Sequence, residues 1–232
     1  MNSLAIVMPA LNEATNIEGV ICKLRATVPS VTIWVIDDSS EDDTLVVAHK
    51  TGATVLSLAA RLGPWGASQA GIRHAHQLGF EYVLTMDADG QHLPESIPTL
   101  VSAMQRSKAD IVIGSATSRG SRLRKVAWKL MRGVSGLHFS DLTSGLRLYN
   151  SKAMSFVADE RASYLQYPDI GVLALAMRNN LKVVETEVEM ADRQQGVSRI
   201  FSSWLAVLLY MINTLLLGAS KRSRYKSKAN SK

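Results

Sequence analysis

Short apolar runs alternate with helical stretches through the first half of this chain, and no other feature constrains its fold as strongly. Leu4-Ala5-Ile6-Val7-Met8, Val31 to Ile36, Thr54 to Leu58, Tyr82 to Met86 and Ile111 to Gly114 have the length and bulk of strands, Tyr82 to Met86 of a fully buried one. Between them, a stretch opening at Thr15 and running through Arg25, then Asp43 to Lys50, Gly66 to Leu78 and Pro94 to Gln105, predict helices. Strand–helix–strand alternation implies an α/β fold, a mostly parallel central sheet flanked by helices. Thr15 and Glu18 have the spacing of a capping box for the first helix. Cys22 occupies an apolar position on that helix and is expected in the core. As the only cysteine it can form no internal disulfide, which fits a reducing cytoplasm.

The pattern loosens after Gly114. Arg122 to Leu137 predicts a helix carrying basic residues, Ser144 to Tyr149 a strand, Pro168 to Asn179 a helix and Leu181 to Val188 a last strand. A chain of 232 residues suits one substantial core, so residues 1–199 read as a single domain. Residues 200–220 are uncharged and rich in Leu, Ile and Val, with Trp204 near the start. That is close to the roughly 20 residues a bilayer-spanning helix needs. Residues 221–232 follow as a tail holding Lys221, Arg222, Arg224, Lys226, Lys228 and Lys232 and no acid, which accounts for the whole formal charge of +6. The neutral body argues against a basic groove for nucleic acid. A basic cluster beside an apolar helix suits the anionic cytoplasmic leaflet. Residues 200–220 therefore read as a membrane-associated helix that lies in the interface, spans the bilayer or packs on a membrane partner subunit. No secretory leader is read, because the N-terminus lacks a basic region and the run Leu4 to Met8 stops at Pro9.

Three polar clusters fall just after predicted strands: Pro9-Ala10-Leu11-Asn12-Glu13, Asp37-Asp38-Ser39-Ser40 and Asp87-Ala88-Asp89. Open parallel sheets bind ligands at the carboxyl ends of their strands, so clusters distant in sequence converge along one edge. Two aspartates one residue apart can share a divalent cation through oxygen, the donor that suits Mg2+ or Mn2+. Such a cation would in turn hold a diphosphate. Asp, Gly and Gln also build ordinary turns, so the weight lies on three clusters in register rather than on any one.

These motifs resemble those of family 2 glycosyltransferases, in the branch of dolichol-phosphate mannose synthase and related polyprenyl-phosphate sugar transferases. Asp87-Ala88-Asp89-Gly90-Gln91-His92 is similar to the family's metal motif, Asp141-Leu142-Thr143-Ser144-Gly145-Leu146-Arg147 to its acceptor-side motif, and Arg193-Gln194-Gln195-Gly196-Val197-Ser198 to its late Arg-x-x-Gly-x-Ser signature. The resemblance runs from Leu4 to about Ser198 and implies the GT-A nucleotide-diphospho-sugar transferase fold, followed here by the apolar helix. It implies that Pro9, Asn12, Glu13, Asp38 and Asp87 bind the nucleotide, and that Asp87, Asp89 and Gln91 hold the metal. It implies catalytic roles for Asp89 and Arg193, places Arg193 and Ser198 on the donor phosphates or the acceptor phosphate, and puts Ser144 and Arg147 in the acceptor-side motif, while Asp169 and Arg122 are candidates from their positions, as catalytic base and acceptor contact. The chain departs from the pattern at Leu11, where relatives often have an aromatic, at Pro64-Trp65 after Arg61-Leu62-Gly63, where a lysine is common, and at Ala116, where an arginine often follows Gly-Ser. Arg119, Arg122 and Arg124 stand nearby to supply that charge.

Two acceptors are consistent with this reading. A polyprenyl phosphate is already anionic at neutral pH and needs arginines to position it rather than a base. A sugar hydroxyl on a cell-surface polysaccharide or lipid-linked glycan needs a carboxylate to take its proton, and Asp169 after Tyr167-Pro168 is the candidate. A third reading, from another class, is a non-catalytic nucleotide-sugar-binding subunit that works through a membrane partner.

Overall fold

β1 shows why the sheet is central. Along Leu4–Ala10, the side chains of Leu4, Ile6 and Met8 join one buried cluster and those of Ala5 and Val7 join another. A strand apolar on both faces must be covered on both. The computed structural model describes residues 4–116, 139–141, 143–165 and 170–191. Within them, β1 is followed by α1 (Ile17–Thr27), β2 (Thr32–Asp37), α2 (Thr44–Lys50), β3 (Thr54–Ser57), α3 (Gly63–Gln77), β4 (Tyr82–Thr85), α4 (Ile97–Ser107), β5 (Ile111–Ser115), β6 (Arg147–Asn150), α5 (Ser151–Val157), α6 (Ile170–Arg178) and β7 (Val183–Glu187). Short 3-10 turns occupy Pro94–Ser96 and Glu160–Ala162.

The seven strands form one sheet in the order β3-β2-β1-β4-β6-β5-β7. All pairings are parallel except those of β6, which runs antiparallel between β4 and β5. On one face α1 and α4 pack through Ile17, Ile21, Leu24, Ile97 and Leu100. On the other, α3 and α5 pack through Trp65, Ile72, Met154 and Val157. The approach of α3 is close. A Cβ added at Gly71 would stand 2.5 Å from Val7 Cγ1 and 2.9 Å from Ile36 Cγ1, so glycine lets this helix settle on β1 and β2.

The order of the strands places the site. The chain winds outward from β1 through β2 to β3, then α3 carries it back to β4 on the other side of β1. Strand order reverses there, and a crevice opens at the carboxyl ends of β1 and β4.

Several local expectations are corrected. The capping box does not form: Asn16 is the N-cap of α1 without a side-chain cap bond, and the turn is closed instead by Glu13 O, which accepts from Asn16 N and Ile17 N at 2.9 Å each. Cys22 is exposed, because the buried stripe of α1 is Ile17, Val20, Ile21 and Leu24 and position 22 falls off it. β6 begins at Arg147 rather than Ser144. Gly145 O accepts from Thr85 Oγ1 at 2.8 Å, and this side-chain bond takes the place of a ladder bond. α5 is an additional helix, started by Asn150, whose side-chain oxygen accepts from Ala153 N at 2.9 Å. The predicted helix over 122–137 and the apolar stretch 200–220 lie outside the described residues. Among the described residues, no helix is long and apolar enough to cross a membrane.

Candidate active site

The loops leaving β1 and β2 are laced to each other. Asp38 N donates to Ala10 O at 2.8 Å, Asn12 N to Ser40 Oγ at 2.9 Å, Glu41 N to Asn12 Oδ1 at 2.7 Å and Glu13 N to Thr44 Oγ1 at 2.7 Å. Asn12 and Ser39 hold left-handed backbone, with φ of 49° and 61°. A non-glycine residue there stores of order 1–3 kcal/mol and needs its surroundings to hold it, a feature that clusters at functional sites. Asp38 is buried, and its two carboxylate oxygens accept from Leu62 N at 2.6 Å and Gly63 N at 2.9 Å. It thereby pins the entry to α3, the segment that delivers Pro64 and Trp65 to the crevice. Trp65 is fully buried, and its indole N–H donates to Ala162 O at 2.7 Å.

An open pocket lies where β1 and β4 part, lined among others by Pro9, Trp65, Thr85, Asp87, Gly145 and Tyr149. The Asp87 side chain is 51% exposed there. His92 Nε2 lies 3.0 Å from Asp87 Oδ2. On the other side stands Gly145, where an added Cβ would sit 2.6 Å from Asp87 Oδ1 and 2.8 Å from Oδ2. The missing side chain of Gly145 is therefore the space the carboxylate occupies. Asp89 is buried, and its Oδ1 accepts from Gln91 N at 3.1 Å. Asp89 and His92 also line an open cleft against the first turns of α1, with Asn16 and Lys23. Burial alone would push the His92 pKa down. The hydrogen bond and charge of Asp87, backed by Asp89 and Asp141, outweigh it, and the net shift is upward from 6.5.

The acceptor-side motif packs onto this carboxylate. Asp141 is buried and turns the chain with Oδ1, which accepts from Thr143 N and Thr143 Oγ1 at 3.0 Å each. Glu185 of β7 takes the N–H groups of Ser140 and Asp141 at 2.7–2.8 Å. Ser144 and Arg147, which the resemblance implies as acceptor contacts, are 6% and 0% exposed. Ser144 Oγ accepts from Leu146 N at 3.2 Å, and Arg147 Nε donates to Ser144 O at 3.0 Å, so these bonds shape the loop that carries Gly145. The metal loop also meets the end of the described chain: His92 bridges Met190 as an isolated antiparallel pair, and Ala191 N donates to Gln91 O at 2.9 Å. Arg122, Asp169, Arg193 and Ser198 lie outside the described residues.

The structure thus brings Pro9, Asn12, Glu13, Asp38, Asp87, Asp89 and Gln91 to the carboxyl edge of three adjacent strands, β2, β1 and β4. Sequence reasoning assigned no role to His92, Gly145 or Glu185. His92 and Gly145 sit inside motifs already singled out, whereas Glu185, on an edge strand, carries no local signal.

The donor set fits a hard divalent cation. Asp87 presents a half-exposed carboxylate in a cradle that a Cβ would fill, and Asp89 a second carboxylate two residues on. Among the described residues, no group of three or more His, Cys, Asp or Glu side chains is arranged to hold a metal. Two carboxylates completed by substrate phosphates and water are the usual protein contribution to a Mg2+-type site.

A doubly wound sheet with acidic loops at its switch point is an architecture that binds nucleotide-linked ligands at that edge. The chain belongs to glycosyl transferase family 2, whose model matches residues 5–164. It is 26% identical to polyprenol monophosphomannose synthase of Mycolicibacterium smegmatis over 227 residues, covering 89% of this chain and 84% of the relative. It is 29% identical to undecaprenyl-phosphate mannosyltransferase of Micrococcus luteus over 212 residues, covering 84% and 86%. Among solved structures, it is similar to glucosyl-3-phosphoglycerate synthase of Mycobacterium tuberculosis in complex with Mn2+, uridine diphosphate and phosphoglyceric acid. The TM-score is 0.70 at 23% identity, covering 94% of this chain and 78% of that one, a likeness of fold.

Proposed function

We propose that this glycosyltransferase moves a sugar, with inversion, from a nucleotide-sugar donor to a polyprenyl phosphate at the cytoplasmic face of the membrane. The observation that carries the acceptor is the extent of the likeness to polyprenyl-phosphate sugar transferases. Covering 89% of the chain, it must run beyond residue 164 into the acceptor-side half. Residues 1–199 form the catalytic domain in this reading, 200–220 the membrane-associated helix and 221–232 a basic tail that favours anionic lipid.

Asp87 and Asp89, with Gln91 beside them, are the residues that would hold Mg2+ or Mn2+ at the donor diphosphate. When bound, the cation supplies neutralisation of the charge that develops on the leaving diphosphate. The chain's own residues do the rest. Pro9, Asn12 and Glu13 line the nucleotide side, and Asp38 fixes its wall by holding Leu62 and Gly63. An oxygen of the acceptor phosphate attacks the anomeric carbon as the bond to the diphosphate breaks, and an anionic oxygen has no proton to lose. Arg193 follows Ala191 by two residues, and the bond from Ala191 N to Gln91 O supports a role for Arg193 on the diphosphate. Arg122 and Ser198 are assigned to the acceptor phosphate, with Ser144 and Arg147 acting through the loop that carries Gly145.

The discriminating experiment is Asp169→Asn with a short polyprenyl phosphate as acceptor. Turnover within a few-fold of wild type is expected. No transfer to the lipid phosphate by wild type, with Asp169-dependent labelling of a glycan instead, would make Asp169 a general base and move the acceptor to a glycan hydroxyl.

A further inference from the structure

Beside Asp87 stands a buried imidazole, His92, with no part in the transfer described above. It is 3% exposed, and Nε2 meets the Asp87 carboxylate at 3.0 Å. Nδ1 is buried with no hydrogen-bond partner among the described residues. A buried polar ring that spends its one directed bond on a half-exposed carboxylate is poorly explained as packing, since leaving Nδ1 unmatched costs about 1–3 kcal/mol. The backbone around the ring is built to hold it: His92 pairs with Met190 across an isolated bridge, and Gln91 O takes the Ala191 N–H at 2.9 Å. Opposite the ring, Gly145 leaves room for the carboxylate where any Cβ would collide with it. Asp87 is thus gripped from two sides, by a donor at Oδ2 and by the backbone of the acceptor-side loop near Oδ1.

We infer that His92 is a positioning residue, holding the Asp87 carboxylate in the single orientation that receives the divalent cation. The inference rests on the metal reading above. Outer partners of metal ligands act this way, and their loss typically weakens metal affinity roughly 10–100-fold.

The test compares His92→Gln with His92→Met in the full chain. The two side chains have nearly equal volume and reach, and only glutamine can donate to Asp87. Mn2+ is titrated into each protein with GDP or UDP present, and the Mn2+ EPR signal is read against protein-free mixtures, with a thermal melt alongside. The expected result is Mn2+ binding weakened about 10–100-fold in His92→Met and close to wild type in His92→Gln. Equal binding by His92→Met and wild type overturns the inference, as does equal loss in both variants, which would make His92 a packing residue. The metal reading is judged separately, on wild type against Asp89→Ala. A wild-type chain that binds no Mn2+ overturns that reading and the inference with it.

Discussion

The nucleotide side and the acceptor side of this crevice are built from different kinds of contact. At the ends of β1 and β2, successive βα units hydrogen-bond directly across neighbouring parallel strands, as where Asn12 and Glu41 or Glu13 and Thr44 meet. On the acceptor side, support comes from elements inserted out of order. Thr85 of β4 holds Gly145 across 60 positions of sequence, and Glu185 of the edge strand holds Ser140 across 45. The first arrangement follows from βαβ winding. The second depends on single residues that each fix a loop, so it should be the more easily broken by one substitution.

The largest effect is expected where the two sides share a ligand. Asp89→Ala removes one of two carboxylates, and transfer should fall on the order of 10²–10³-fold or more, with the thermal midpoint little changed. Activity and melting curves on the same preparation check this. Gly145→Ala tests the acceptor side's grip on the nucleotide side. Its new methyl would stand 2.6 Å from Asp87 Oδ1, and a displacement of that kind should cost about 10²-fold in turnover while the chain stays folded. Glu185→Ala should separate the two sides. Loss of a charged acceptor for two N–H groups should cost about 1–3 kcal/mol in denaturant unfolding and raise the acceptor KM, with nucleotide affinity unchanged.

The smallest effect concerns Asp110, away from the crevice. Burial alone would raise its pKa, but Lys182 N, the Lys152 ammonium and the Asn150 amide outweigh it, and the net shift is below the ordinary 3.8. A carboxylate depressed in the fold adds stability above pH 3.8 that is lost as pH falls through the folded value. Asp110→Asn should therefore flatten the acid limb of the stability curve and leave transfer at neutral pH unaltered.

Much of this architecture is legible in the chain. The run Leu4 to Met8 is apolar at every position and Tyr82 to Met86 at all but Thr85, because they are covered on both faces, and the polar clusters after them mark the edge where ligands bind. Position along a strand fixes those roles, and position is what a pattern records. His92, Gly145 and Glu185 are different. Their roles come from which residue stands opposite in space, and nothing in the residues beside Glu185 announces that it will take the Ser140 N–H. Cys22 fails for a smaller reason, one step of helical rotation from the buried stripe of α1. α5 carries little signal of its own in the sequence, a single capping asparagine, Asn150, directly after a strand.

The central claim is tested most directly by following the label. Purified full-length protein with Mg2+ or Mn2+ is offered radiolabelled nucleotide sugars, with and without a short polyprenyl phosphate. The account predicts an organic-extractable, acid-labile product that appears only with the lipid phosphate and disappears in Asp89→Ala. Asp89-dependent labelling of a saccharide instead, with no lipid product, would contradict it.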